Sequence, residues 1–245
     1  MDMKGRSILV TGASRGIGAE LAAQLVARGA RVIGVARRPF EAEGVSAIAL
    51  DLGAEGAGRD LADRVARDHP DCSGLIANAA VMAHVDLTRG IHDAEIAMEI
   101  AINLTGPVQL ATAMLPQLAA NGPSFVNFVT SGLAIAPRAE AAVYCATKAG
   151  LRSFARSLRN QCRDAGLRVQ VSETVMTLVE TSLSREMAGR YPPGRAAADL
   201  IAGLEAEREE IWIERTRLLR LVNRLSPALA CRILRGPNVR ALHAG

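Results

Sequence analysis

Short apolar runs alternate with helical patterns along most of this chain. Runs of aliphatic and β-branched residues predict strands at residues 7–10, 31–35, 47–50, 75–80 (where the strand runs into a small-residue loop), 124–130, 167–172 and 210–214. Apolar residues three and four positions apart predict helices after Gly18 and near residues 58–68, 93–119, 144–164 and 195–209. Because strands and helices alternate, the pattern predicts a parallel, doubly wound α/β sheet with helices on both faces.

Glycine and proline mark several ends of these elements. Gly29 is placed to end the first helix, and Pro70 breaks the second. Gly106-Pro107 falls inside the long helical pattern at residues 93–119 and predicts a kink or break there. Asn103 lies just before that break, where a single polar residue in a helix is usually exposed.

Composition narrows the class of protein. The chain has 245 residues, of which 49% are hydrophobic, so it can bury a large core and is not a disordered chain. Only 3% are aromatic, which argues against single-stranded nucleic-acid binding by base stacking. The net charge of +4 comes almost entirely from arginine, and a solvated basic face explains it more simply than a nucleic-acid partner. We therefore expect no nucleic-acid partner.

The cysteines and histidines give no sign of a metal site. The four cysteines lie far apart, none is in a Cys-x-x-Cys pair, and the four histidines are not at ligand spacing from them. The Met-Asp-Met-Lys start has no apolar leader pattern, and no apolar run is long enough to span a bilayer. We expect free thiols and a cytoplasmic location.

A glycine-rich turn joins the first strand to the first helix. Its sequence from Thr11 to Gly18 is Thr-Gly-Ala-Ser-Arg-Gly-Ile-Gly. Such a turn presents backbone N–H groups and the positive end of a helix to a phosphate, and glycine allows the backbone to come close. The candidate cofactor-binding residues are Gly12, Ser14, Arg15, Gly16, Ile17 and Gly18. A turn of this kind without any ligand stays an alternative.

Arginine follows the second strand. In dinucleotide-binding folds an acidic residue near this strand's end holds the ribose 2′-hydroxyl, whereas arginine accommodates a 2′-phosphate. Arg37 occupies that place, and Arg15 lies in the glycine turn nearby. Both could instead be ordinary surface arginines. Together they favour NADP (NADPH) over NAD.

Polar residues follow the fifth strand and open the next helix. Ser131 comes directly after the strand at residues 124–130, at the edge of a parallel sheet where ligands bind. Tyr144 and Lys148 are four residues apart, so they share one face of a helix.

With these residues together, the chain resembles the short-chain dehydrogenase/reductase family over residues from about Lys4 to Thr181. The resemblance rests on the Thr-Gly-x-x-x-Gly-x-Gly turn, on the Asp51-Leu52 pair, on Asn78 within Ala-Asn-Ala-Ala, and on Asn103, Ser131 and the Tyr144-x-x-x-Lys148 pair. It implies a single Rossmann-like domain spanning residues 1–245, with a substrate lid and last strand at 182–214 and a helical extension at 215–245.

The resemblance also implies an activity, namely an NADP-dependent oxidoreductase that interconverts a carbonyl and an alcohol. Tyr144 would act as the general acid and base, with its pKa lowered by Lys148 and the positive nicotinamide. Ser131 would hold the carbonyl oxygen, Lys148 the nicotinamide ribose, and Asn103 would complete a proton relay. Other cofactor contacts would come from Asp51, Leu52, Asn78 and Thr181. The family implies a small-molecule substrate and a homodimer or homotetramer.

The chain departs from the family after the sixth strand. Residues 173–181 resemble the branch with a Glu-Val-x-Pro-Pro-x-Val-Asp-Thr loop, but Met176-Thr177 stands where Pro-Pro would be. Ala80 replaces a glycine of the Asn-Asn-Ala-Gly motif. The altered loop motivates an alternative function, a non-catalytic NADP-binding regulator or scaffold with the same fold.

The carboxyl-terminal part is lid-like and then basic. Met187 and Tyr191 could line an apolar pocket or pack against the body, and Trp212 is expected in the core or at an interface. From Arg215 onward the chain is basic and amphipathic, with apolar residues at Leu218, Leu221, Val222 and Leu225. Such a tail more often covers the body or a partner subunit, and peripheral contact with an anionic membrane is the alternative.

Overall fold

Seven parallel strands form one sheet in the computed structural model, which describes residues 1–84, 86–177, 179 and 191–235. The strands are β1 (Ser7–Thr11), β2 (Arg31–Ala36), β3 (Val45–Ala49), β4 (Cys72–Ala77), β5 (Ser124–Ser131), β6 (Val169–Met176) and β7 (Glu210–Trp212). Their order across the sheet is β3-β2-β1-β4-β5-β6-β7. The order reverses between β1 and β4, which leaves a crevice at the carboxyl ends of these strands.

Helices cover both faces of the sheet. They are α1 (Gly16–Ala27), α2 (Ala57–Asp68), α3 (Asp93–Ile100), α4 (Gly106–Ala120), α5 (Ala142–Asp164), α6 (Pro193–Glu205), α7 (Thr216–Leu225) and α8 (Pro227–Leu234). One core contains Leu61, Leu110 and Leu151 from α2, α4 and α5, and the other contains Leu21 and Leu200 from α1 and α6. The predicted doubly wound fold is confirmed.

The sixth strand extends beyond its predicted end. The sequence predicts a strand at residues 167–172 and a loop from Glu173 onward, whereas β6 continues to Met176. Glu173 lies in the strand and has no exposed surface. Its carboxylate is paired with Arg152 (Nη1–Oε2 2.7 Å) and accepts a hydrogen bond from Thr130 (2.5 Å). A buried charge is tolerated when it is paired in this way.

The long helical pattern is interrupted earlier than predicted. Residues Ala101–Thr105 form a π-helical turn between α3 and α4, and Gly106-Pro107 open α4. The backbone stays helical through Thr105 and Gly106, and Pro107, which has no N–H to donate, lies where the π turn passes into α4. Asn103, expected to be exposed, lies fully buried in the π turn. Such turns often occur at functional sites.

The carboxyl-terminal elements match the prediction only in part. β7 is the edge strand expected there, and Trp212 is buried, with the guanidinium carbons of Arg152 and Arg220 each 5.2 Å from its ring centroid. By contrast, Leu218, Leu221 and Leu225 do not cover the body, since they are 64%, 54% and 78% exposed. Within the described part of the chain, no helix is long and apolar enough to cross a membrane.

Replacing the buried carboxylate of Glu173 tests its contribution to the stability of the fold. Glu173→Gln keeps the shape of the side chain but removes the closer and fully buried carboxylate partner of Arg152, which then keeps only a longer contact with Glu210 (3.6 Å). We therefore expect the free energy of unfolding to fall by about 2 to 3 kcal/mol. Urea unfolding measures the change. The matched control is Glu209→Gln, a half-exposed carboxylate that pairs with Arg159 and Arg163 and should cost about 1 kcal/mol or less. Equal losses in the two variants would contradict a special role for Glu173.

Candidate active site

One cavity of about 690 Å³ follows the carboxyl ends of the strands. It runs from the glycine turn after β1 to the end of β5 and the start of α5, and its size lies within the range of ligand pockets. It brings together most of the site residues expected from the sequence, namely Gly12, Ser14, Arg15, Gly16, Ile17, Gly18, Arg37, Asp51, Leu52, Asn78, Ser131, Tyr144 and Lys148.

The glycine turn has a backbone that only glycine adopts easily. Gly12 and Gly16 have φ angles of +71° and +57°, in the left-handed region. A Cβ added to Gly18 would lie 2.0 Å from the carbonyl oxygen of Gly12. The first turn of α1 begins at Gly16 and faces the cavity. This arrangement fits a phosphate group, because a helix N-terminus without side chains in front of it attracts an anion.

Asn78 ties the end of β4 to the end of β1. Its side-chain Nδ2 donates to the carbonyl oxygen of Thr11 (2.9 Å), and the backbone N–H groups of Asn78 and Ala79 both donate to Thr11 Oγ1 (3.0 Å each). These bonds hold the loop after β4 beside the glycine turn. The asparagine is the part of the family motif that survives in this chain, and here it shapes the floor of the cavity.

Exposed arginines line the far end of the cavity. Arg37 and its neighbour Arg38 follow β2, and Arg15 lies in the glycine turn. Asp51 and Leu52 follow β3 on the same side, and Asp51 accepts a hydrogen bond from the backbone N–H of Gly53 (2.9 Å). Sequence reasoning named Arg37 but missed Arg38, although the pair of adjacent arginines is visible in the sequence.

Ser131, Tyr144 and Lys148 form the polar centre of the cavity. Ser131 is the last residue of β5, and its hydroxyl accepts a hydrogen bond from the backbone N–H of Leu133 (3.1 Å) and lies in the same cavity as the Tyr144 phenol. Lys148 lies one turn further along α5, with its Nζ 5.8 Å from the centroid of the Tyr144 ring. The same ammonium group donates to the carbonyl oxygen of Val129 in β5 (2.8 Å). The strand and the helix therefore hold an alcohol, a phenol and an amine together.

Burial shifts the pKa values of the phenol and the amine in opposite directions. It raises the pKa of Tyr144 to about 12, although the nearby Ser131 hydroxyl acts to lower it. It lowers the pKa of Lys148 to about 8. In both cases burial disfavours the charged form. The expected lowering of the tyrosine pKa is therefore absent from the chain by itself, because desolvation outweighs any attraction from the neighbouring ammonium group.

Asn103 does not line the cavity but is hydrogen-bonded to the loop after β4, which does. Its Oδ1 accepts from the backbone N–H of Val81 (2.9 Å), its Nδ2 donates to the carbonyl oxygen of Val81 (2.8 Å), and Thr147 Oγ1 lies 3.4 Å from Nδ2. One turn earlier, the buried Glu99 accepts from the backbone N–H of Ala83 (2.5 Å), and its burial raises its pKa. Sequence reasoning missed Glu99, since a helical glutamate carries no signal of burial.

The end of the sixth strand contributes two residues to the cavity. Met176 and Thr177 line the cavity at the end of β6, and Thr177 Oγ1 donates to Glu214 (3.0 Å). Thr181 and Met187 lie outside the described residues. The hydroxyl of Tyr191 donates to Asp199 (2.9 Å), which directs it into a contact with α6.

Two groups of cavity residues were missed by the sequence interpretation. Arg138 and the buried Glu140 precede α5 and form an ion pair (3.3 Å). Glu140 is four residues before Tyr144, and this spacing could have indicated that its side chain lies near the site. Leu219 and Leu234, from α7 and α8, also line the cavity. No local pattern could have shown that the basic tail supplies a wall of this cavity.

Metal chemistry finds no support in the described ranges. They contain no group of three or more histidine, cysteine, aspartate or glutamate side chains that could hold a metal ion. The four cysteines are free.

Comparison with known proteins assigns the chain to a family. A family model described as short chain dehydrogenase matches residues 6–190, which is most of the chain. The chain belongs to the short-chain dehydrogenase/reductase family, whose members generally act on small molecules and often form oligomers. It is accordingly an oxidoreductase with a nucleotide-binding Rossmann fold.

Three relatives illustrate the similarity. The uncharacterized oxidoreductase DltE of Bacillus subtilis is 33% identical over 235 residues, which cover 90% of this chain and 92% of that one. The 3-oxoacyl-[acyl-carrier-protein] reductase FabG of Escherichia coli is 30% identical, covering 77% and 79% of the two chains. A metagenomic short-chain oxidoreductase, solved in complex with NADP, is 28% identical with a TM-score of 0.72, covering 87% and 98%.

The buried lysine predicts a dependence of stability on pH. Lys148 has a pKa of about 8 in the folded chain against an ordinary 10.5, so between these values the unfolded chain binds more protons and stability rises with pH. Relative to Lys148→Met, the wild type should gain about 1 to 2 kcal/mol in unfolding free energy from pH 8 to pH 9.5. Urea unfolding at both pH values measures it. The control is Lys4→Met, which replaces the other, exposed lysine of the chain. It keeps Lys148, so its stability should rise with pH as that of the wild type does.

Proposed function

We propose that this chain is an NADP-dependent oxidoreductase that interconverts a carbonyl and an alcohol. The observation that carries the proposal is the cluster of Ser131, Tyr144 and Lys148 in the same cavity as the glycine turn. A regulator that only binds NADP has no need for a serine, a tyrosine and a buried amine together. The relative named for reduction of a 3-oxoacyl group supports carbonyl chemistry, because it is 30% identical to this chain.

Tyr144 is the proton donor in this proposal. A bound nicotinamide dinucleotide would supply the hydride to the carbonyl carbon. Negative charge then develops on the carbonyl oxygen, where the Tyr144 hydroxyl delivers its proton and the Ser131 hydroxyl donates a hydrogen bond. With a pKa of about 12, the phenol is protonated at neutral pH and ready for the reductive direction. Alcohol oxidation would need additional positive charge near the phenol to draw the proton off.

Lys148 and Asn103 act on the position of the reacting groups. The Lys148 ammonium donates to the carbonyl oxygen of Val129, two residues before Ser131, and would contact a nicotinamide ribose. Asn103 holds the loop that follows β4 through both of its amide atoms. A proton relay from Asn103 through water stays a prediction of the family resemblance.

The remaining assignments concern the cofactor. Arg37 and Arg15, with the adjacent Arg38, would bind a 2′-phosphate, which favours NADP over NAD. Gly12, Ser14, Gly16, Ile17 and Gly18 would surround the pyrophosphate. Asp51 and Leu52 would border the adenine, Asn78 the ribose, and Thr181 the carboxamide or a phosphate. The NADP complex of the metagenomic relative supports this choice.

The substrate is proposed to be a small, moderately apolar carbonyl compound. Met82, Leu133, Leu219 and Leu234 line the part of the cavity that is not assigned to the cofactor. A cytoplasmic location and a homodimer or homotetramer complete the proposal, the former supported by the free cysteines.

Removing one oxygen atom tests the role of Tyr144. Tyr144→Phe deletes the proton donor but keeps the ring, so we expect turnover of a carbonyl substrate with NADPH to fall by about 10²-fold or more while NADPH binding is retained. Steady-state kinetics and fluorescence titration of NADPH measure the two effects. The matched control is Tyr191→Phe, the other tyrosine of the chain, which should keep near-normal turnover.

Undiminished turnover in Tyr144→Phe would overturn the mechanism. A wild-type chain that binds NADPH but oxidises none of it with a broad panel of aldehydes and ketones would instead favour a non-catalytic regulator. These two results differ, because the first requires an active wild type.

Reversing one charge tests the cofactor preference. Arg37→Asp removes a partner of the 2′-phosphate and adds an acceptor for the 2′-hydroxyl, so the NADPH to NADH ratio of kcat/KM should fall by about tenfold or more. Steady-state kinetics with both cofactors measures it. Arg59→Asp, an exposed position on α2 away from the cavity, is the charge-matched control. A wild type that already prefers NADH would show that the interpretation of Arg37 is wrong.

A further inference from the structure

The helices α7 and α8 present an apolar stripe to solvent. On α7, Leu218, Leu221 and Leu225 follow helical spacing and share one face. On α8, Leu229 and Ile233 are one turn apart and are 41% and 61% exposed. Five large aliphatic side chains on two adjacent short helices are more than scattered surface residues, and such groups mark interaction sites.

The same segment is strongly basic. Residues 215–235 contain six arginines, all exposed, and no acidic residue: Arg215, Arg217, Arg220, Arg224, Arg232 and Arg235. On α7, Arg217, Arg220 and Arg224 repeat at helical spacing, so they form a second stripe directly beside the leucine stripe. Arg220 is fixed by its stacking on Trp212, and Arg217 donates to the carbonyl oxygen of Trp212 (3.0 Å).

We propose that this face, formed by the leucine and arginine stripes of α7 and α8, docks on the surface of an anionic lipid bilayer. Aliphatic side chains beside arginines suit the boundary between acyl chains and anionic headgroups, where the former insert and the latter contact phosphates. The face thus matches the charge of the lipid surface as well as its apolar layer.

The charge pattern argues against a second copy of the chain as the occupant. A two-fold interface brings the same patch of both subunits together. Here neither helix offers an acidic residue to the arginines of a second copy. The nearest carboxylates, Glu210 and Glu214, already pair with Arg220 (3.9 Å) and Arg215 (3.1 Å) within the chain. Nucleic acid would satisfy the arginines but leave the five aliphatic side chains in water.

Docking would bring the cavity close to the membrane. Leu219 and Leu234, on the inner sides of α7 and α8, line the cavity, whereas Leu218 and Ile233 beside them in sequence face outward. The two helices therefore stand between the bilayer and the cavity. An apolar substrate dissolved in the membrane would have a short path to Tyr144. This last step rests on the proposed function, but the docking itself does not.

Vesicle binding by the full chain tests the proposal. We expect co-sedimentation with vesicles of phosphatidylglycerol and phosphatidylcholine, and none with phosphatidylcholine alone. Leu221→Gln with Leu225→Gln should weaken binding at least about tenfold, because the inserted area is lost. Arg224→Gln with Arg232→Gln should weaken it about fivefold for each arginine. Since these side chains are exposed, the variants should fold, which circular dichroism checks.

Matched variants elsewhere separate this face from general charge and hydrophobicity. Leu87→Gln with Ile91→Gln and Arg59→Gln with Arg208→Gln change exposed residues of the same kinds and should bind as the wild type does. The proposal is overturned if the wild type does not bind anionic vesicles or if the leucine variant binds equally well. It is also overturned if sedimentation shows that the leucine variant breaks an oligomer, since the stripe is then covered by a second copy. Loss of activity in Tyr144→Phe leaves vesicle binding unchanged, so the two proposals fail separately.

Discussion

A buried carboxylate connects the two elements that carry the candidate catalytic groups. Glu173 of β6 accepts from Thr130, the residue before Ser131, and pairs with Arg152, one turn after Lys148. Since Lys148 also donates to Val129, β5 and α5 are joined on both sides of the candidate catalytic cluster. A displacement of about 1 Å at such a cluster can cost a large part of the rate. The geometry of the site thus depends on an ion pair that the cavity does not contain.

Features set by local geometry could be predicted from the sequence. The glycine turn needs only a strand, a helix and residues without side chains, and the Tyr144–Lys148 spacing is that of one helical turn. By contrast, the extension of β6 through Glu173 depends on Arg152, which is distant in sequence, and the π turn at Asn103 depends on the loop it holds. The contribution of Leu219 and Leu234 to the cavity depends on how the tail folds back. Tertiary pairing decides these features, so local patterns could not show them.

The pKa values of the candidate catalytic groups depend on their burial. Desolvation raises the pKa of Tyr144 and lowers that of Lys148, so the chain by itself favours the neutral forms of both groups. The sequence interpretation considered the attraction of the phenolate to the ammonium group and to a positive nicotinamide. In the chain by itself, desolvation raises the pKa of Tyr144 instead. A proton donor is thus preserved at neutral pH.

Lysine in the cavity and arginine on the face of α7 and α8 respond differently to pH. The chain has two lysines, and one of them is buried in the cavity, whereas the exposed face of α7 and α8 carries only arginine. A guanidinium group keeps its charge throughout the range in which cells live, while a desolvated amine near pH 8 does not. Mild alkalinity would therefore remove the charge of Lys148 inside the cavity and leave the charge of the α7 and α8 face unaltered.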